Sequence, residues 1–132
     1  FNPFHGAIAG FLDARKARGQ TSILVTLHSF TPAMQSGGDG RPWQVTFQYG
    51  RHAEFSKKLI QLMEKEPTIT VGDNEPYPVE DVTHYGIPVH GEKRNLLHTM
   101  IELRQDGIES EAGQVYWAQK ITDVLSEFLE KV

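Results

Sequence analysis

The 132-residue chain contains no cysteine, which excludes a disulfide framework and thiolate metal sites and leaves His, Asp and Glu as the only strong metal ligands. That absence also fits a reducing cytoplasm. Positive charge is not in excess either: 13 Lys and Arg stand against 17 Asp and Glu, for a net charge of -4. No stretch interleaves clustered cations with aromatics, so nucleic acid is not an expected partner. The densest basic group, "DARKARG" at residues 13–19, reads as the solvated end of a helix. Long apolar runs are missing as well. None approaches the roughly 20 residues that span a bilayer, so a membrane is not an expected partner. The opening "FNPFHGAIAG" lacks the charged lead and apolar core of a signal peptide, and it lacks an initiator Met, as a fragment or processed piece would.

What is present is ordinary for a globular domain: 39% hydrophobic and 23% charged residues, in a length that supports one core. Asn2 before Pro3 has the form of a helix cap, and Ala7, Ile8, Phe11, Leu12 and Ala14 continue at helical spacing to about residue 18. "TSILVTLH", residues 21–28, is a nearly continuous branched run, which predicts a strand covered on both faces of a parallel sheet. A Gly-rich loop at 35–42 leads to "WQVTFQY", where Trp43, Val45, Phe47 and Tyr49 alternate as in a strand. A second helix is expected from about 52 to 66, ending before Pro67. "TITV" is a short strand, and the Gly- and Pro-rich segment after it reads as a long irregular loop of the kind that carries function. In "LLHTMIELRQ", Leu97, Thr99, Ile101 and Leu103 face one way, while His98, Met100, Glu102 and Arg104 face the other. Ala118, Ile121, Leu125, Phe128, Leu129 and Val132 then mark a core-packing helix. This alternation of helices and strands predicts an α/β fold with a mixed, mostly parallel sheet flanked by helices.

Ligands of such sheets gather beyond the carboxyl ends of parallel strands, where His28 and the Glu102/Arg104 pair both fall. His28 can offer a ring nitrogen to a metal, Glu102 can take a proton from water, and Arg104 can hold a carboxylate. The plainer readings are a histidine bonded to backbone and a simple ion pair. "GDNEPY" makes a rigid polar loop around Asn74, Glu75 and Tyr77 that serves either a ligand or turn geometry alone. In "GRPW", Arg41 either covers a ligand anion or stacks on Trp43. His52 and Glu54 diverge on a helix and read as surface residues, and His5, His84, His90 and His98 have no ligand-type spacing.

Taken together, "HSFTP", "RPW", "VGDNEPY" and "IELRQDGI", in this order, resemble the N-formylglutamate amidohydrolase family. The resemblance extends over nearly the whole chain, through "FNPFHGAI", "VTHYGIPVHGEKRNLLH" and "GQVYWAQKI". It implies a fold similar to zinc carboxypeptidases and aminoacylases, with one catalytic zinc. It also implies hydrolysis of N-formyl-L-glutamate to formate and L-glutamate in the cytoplasm, as in bacterial histidine breakdown.

On that resemblance His28 is a zinc ligand and Glu102 is the base that deprotonates the water and later protonates the leaving amine. Arg41, Asn74, Tyr77 and Arg104 then hold the carboxylates of the acyl amino acid or the developing oxyanion. The family's members also carry an N-terminal half with an early Ser/Glu-His motif and an Asp-Gly-Ala motif, and neither is found here. Residues 1–132 are therefore expected to be the C-terminal part of a single amidohydrolase domain, with the remaining zinc ligands outside this chain. Association with that missing half, or a homo-oligomer, would follow. The alternative is a noncatalytic module that keeps the fold and binds a small acid without metal.

Overall fold

A computed structural model of the protein describes residues 2–33, 40–80 and 84–131, apart from the side chain of Asn2. The Asn2 cap, most of the Gly-rich loop and Val132 therefore lie outside the described residues. Four strands build one sheet: β1 (Ile23–Phe30), β2 (Val45–Gln48), β3 (Val71–Asp73) and β4 (Leu97–Arg104). Their order is β1-β4-β2-β3, with β1/β4 and β2/β3 parallel and β2/β4 antiparallel. The expected mixed, mostly parallel α/β sheet is what the chain forms.

Three helices, α1 (Asn2–Ala17), α2 (Glu54–Met63) and α3 (Glu111–Glu130), flank the sheet. Phe55, Leu59, Ile60 and Met63 recur at helical spacing and form the buried stripe of α2. The helix stops short of Pro67, whose ring disfavours helical backbone in the residue before it. Ser110 begins α3 by accepting a hydrogen bond from the Gly113 amide at 3.0 Å, which satisfies one of the unpaired N–H groups of the first turn. Together α2 and α3 cover one sheet face, where Val45, Phe47, Ile101 and Leu103 meet Leu59, Trp117 and Phe128. The Phe55 and Phe128 rings sit edge to face at 4.8 Å.

Period-two alternation sends the remaining side chains of each strand to the opposite face: Leu24, Thr26 and His28 from β1, Thr46 and Gln48 from β2, and His98, Met100 and Glu102 from β4. A smaller apolar group of Leu24, Val79, Ile87 and Met100 packs there. Its cover comes from within the segment expected to be irregular, which instead contains a wide π-helical turn at Gly86–Glu92. Ile87, Pro88 and His90 of that turn are buried, so packing holds the Gly- and Pro-containing stretch in helical form.

Two other expectations are corrected. β1 is not a strand covered on both faces: among the described residues it lies at an edge of the sheet beside β4, with Ile23 to Thr26 half-buried and Leu27 to Ser29 exposed. The helix expected to about residue 18 forms as α1, with Leu12 buried and Phe4 and Phe11 exposed. The short strand expected at "TITV" begins only at its last residue, Val71, and continues to Asp73.

Candidate active site

The register of β1 on β4 pairs His28 with Glu102, and the register of β2 on β4 pairs Glu102 with Thr46. Paired residues point to the same face, and neighbouring strands lie about 4.8 Å apart, so His28, Glu102 and Thr46 form one row across the sheet. His28 is exposed at the end of this row, Glu102 is buried at its centre, and Thr46 is fully buried.

Burial raises the pKa of Glu102 above the ordinary glutamate range, and this effect outweighs the opposing influence of His28, a hydrogen bond from Gln48, and the charges of His84 and Arg41. A carboxylate held this way is a better proton acceptor than one in water. Gln48 also donates to the Glu75 carbonyl at 2.7 Å, which ties the "GDNEPY" loop to the centre of the row. Sequence reading placed Gln48 among the polar residues of an alternating strand and assigned it no role. Its signal was its register position one step from Glu102, which appears only once β2 and β4 are paired.

The other expected residues are dispersed. Arg104 ion-pairs with Asp106 at 2.7 Å, not with its strand neighbour Glu102, and donates to the Arg41 carbonyl at 2.9 Å. Arg41 lies over the Phe30 ring at 5.9 Å, and its charge reaches Glu102. Asn74 adopts a left-handed backbone (φ 61°), and its side-chain oxygen accepts from the Tyr49 amide at 2.9 Å. That bond ties the loop to the chain just after β2. Tyr77 is exposed beyond a cis Glu75–Pro76 bond.

A cavity of about 600 Å³ opens beside the row, and four histidines line it: His5, His28, His84 and His90. His5 Nδ1 and His90 Nε2 are 3.1 Å apart, and burial, followed by the charges of His5 and Arg94, lowers the His90 pKa. Spacing alone had linked none of these histidines.

A family model described as N-formylglutamate amidohydrolase matches residues 1–109. The chain belongs to that family. The crystal structure of gene product Atu2144 from Agrobacterium tumefaciens is similar to it, with a TM-score of 0.90 and 27% sequence identity over 99% of this chain and 51% of that one. This chain thus spans about half the length of that solved structure. No curated protein matches.

The donors present at the row do not by themselves complete the zinc site that the family resemblance implies. A catalytic zinc takes three protein ligands and an open position. His28 offers one nitrogen, and among the described residues the three donors found together are His52, Glu92 and His98, in a different part of the sheet face. What the chain itself supplies is a histidine and a buried carboxylate side by side in the row.

Proposed function

We propose that the chain is the C-terminal part of an amidohydrolase domain that cleaves the formyl amide of N-formyl-L-glutamate, or of a related N-acyl amino acid, to formate and the free amino acid. The observation that carries this reading is the in-register His28–Glu102 pair with its buried, proton-attracting carboxylate. Glu102 accepts the proton of the attacking water and returns it to the leaving amine, the two proton transfers that amide hydrolysis requires.

In this reading His28 is one ligand of a zinc ion whose other ligands lie outside this chain; such an ion polarises the carbonyl and acidifies water. Arg41 holds a substrate carboxylate, and Arg104 positions it through the bond to the Arg41 carbonyl. Asn74 and Tyr77 shape the substrate-facing loop that Gln48 anchors. A cytoplasmic setting and a place in histidine breakdown belong to the same reading. Among the described residues, no helix is long and apolar enough to cross a membrane.

The test is formate release from N-formyl-L-glutamate by the intact gene product, with and without a zinc chelator. Chelator-sensitive release is expected, and Glu102→Gln should lower kcat by about 10²- to 10⁴-fold while the fold persists. Full activity in that variant rejects Glu102 as the base. A folded, zinc-loaded protein that releases no formate but still binds the acyl amino acid supports the noncatalytic module instead.

A further inference from the structure

His98 is the second residue of β4, faces the same side of the sheet as Glu102, and is 1% exposed. Its Nδ1 lies 2.7 Å from the Leu96 carbonyl. A carbonyl only accepts, so Nδ1 carries the proton, and in the neutral ring Nε2 presents a lone pair. That Nε2 is buried and has no hydrogen-bond partner among the described residues. A buried imidazole whose second nitrogen is fixed by a backbone carbonyl, with the first left unpaired, is arranged as metal-ligating histidines are.

Two further donors complete the surroundings. His52 precedes α2, Glu92 closes the π-helical turn, and one ligand atom from each of His52, Glu92 and His98 lies within 4.8 Å of the other two. The rings of His52 and His98 are 5.6 Å apart between centroids and tilted by 48°. Glu92 is 8% exposed and already accepts from Arg51, at Oε1 from the guanidinium (2.9 Å) and at Oε2 from the backbone amide (2.5 Å). These bonds hold the carboxylate in place, and each oxygen retains a second lone pair.

Two glycines let the backbone approach this closely. A Cβ on Gly91 would come within 2.8 Å of the His98 ring, and one on Gly50 within 3.0 Å of Glu92 Oε2. A cavity of about 170 Å³, lined in part by His52, Phe55, Asn95 and His98, gives an ion access.

We infer that His52, Glu92 and His98 bind a divalent ion of the zinc type, which clamps the π-helical turn and the segment before α2 to the start of β4. Two imidazoles and a carboxylate suit zinc or cobalt, and three protein ligands leave one position for water. The site is separate from the row at His28. His98 and Glu102 are four residues apart on one strand, about 13 Å at the rise of a β-strand, too far to share one ion.

The metal-free intact protein is titrated with Zn²⁺, read by melting temperature, and with Co²⁺, read by visible absorption. Wild type and His28→Gln should both gain melting temperature and develop the cobalt bands. Added to His28→Gln, so that only the second site is read, His52→Gln should keep the metal-free melting temperature and weaken binding by at least about 100-fold, more than the 10- to 100-fold that loss of an outer-shell partner costs. Glu92→Gln serves as the second variant if His52→Gln fails to fold. No response in His28→Gln overturns the site. So does a response that survives His52→Gln and disappears in His28→Gln, which would place the ion at the row. Neither readout involves formate, so failure here leaves the proposed hydrolysis standing.

Discussion

The two faces of the sheet are made by the same strands to opposite standards. On the face under α2 and α3, the buried residues are almost all apolar, and its polar pair, Ser56 and Thr99, is satisfied by a hydroxyl-to-hydroxyl bond of 2.6 Å. On the other face, Thr26 Oγ1, Thr46 Oγ1, Gln48 Oε1, His90 Nδ1 and His98 Nε2 are all buried without a hydrogen-bond partner. Buried polar groups are normally paired, so this concentration on one side marks where the molecule gives up stability in favour of chemistry. One face holds the fold together, and the other holds the donors and acceptors ready for something outside the chain.

The largest effect should come from the apolar face. Phe47 is 1% exposed, and Phe47→Ala should cost about 3–5 kcal/mol. That is much of the roughly 5–15 kcal/mol that stabilises an ordinary domain. Urea unfolding of the two proteins measures it, and a loss below about 1 kcal/mol would break the contrast between the faces.

The opposite sign is expected across the sheet. Thr46→Val removes an unpartnered hydroxyl at nearly constant volume, and leaving such a group buried costs about 1–3 kcal/mol, so the variant should be as stable as wild type or more so. A clear loss of stability would mean that the Thr46 hydroxyl is satisfied in solution.

Glu102→Gln sharpens the comparison over a limited pH range, in protein stripped of metal by a chelator. The folded state holds the Glu102 proton more tightly than the unfolded chain, because burial raises its pKa. In the window between the two pKa values the native state binds more protons, so wild-type stability falls as pH rises through it. The Gln variant lacks this slope. Its advantage should grow from the ordinary glutamate range upward and then level off, as melting temperatures across pH will show. Parallel curves would mean that the carboxyl is solvated.

The smallest effect belongs to neither face. Lys65, just past the end of α2, pairs with Glu127 of α3 at 2.6 Å, but Lys65 is exposed and Glu127 only half-buried. Lys65→Ala should leave stability almost unchanged, and any loss should shrink in high salt, by the same urea measurement.

Much of the fold was legible where local periodicity decides it. The two faces of β4 follow from its alternation, and the stripe of α2 from its spacing, because burial follows the period of the element. The double cover of β1 was misread because a branched run looks alike in a central strand and in a half-covered edge strand. For the site, sequence reading singled out His28 and Glu102, and the register sets them side by side. The burial of Thr46 and Gln48 was hidden because polar residues in an alternating strand read as solvent-facing, whereas here both are buried and Gln48 bonds the loop at Glu75. His52, Glu92 and His98 share no local spacing, so only tertiary packing could reveal them. The alternation of β4 did already place His98 on the Glu102 side.

The sheet order has a consequence for how the protein is made. β4 is the last strand in the chain, yet it lies between β1 and β2 and supplies every strand pairing that connects β1 to the rest of the sheet. More than half the chain separates His28 from Glu102. A nascent chain that has reached residue 90 carries His28, Thr46 and Gln48 with nothing to align them. The row of His28, Glu102 and Thr46 therefore comes into being in a single late insertion, and until then its histidine stands without the neighbouring carboxylate.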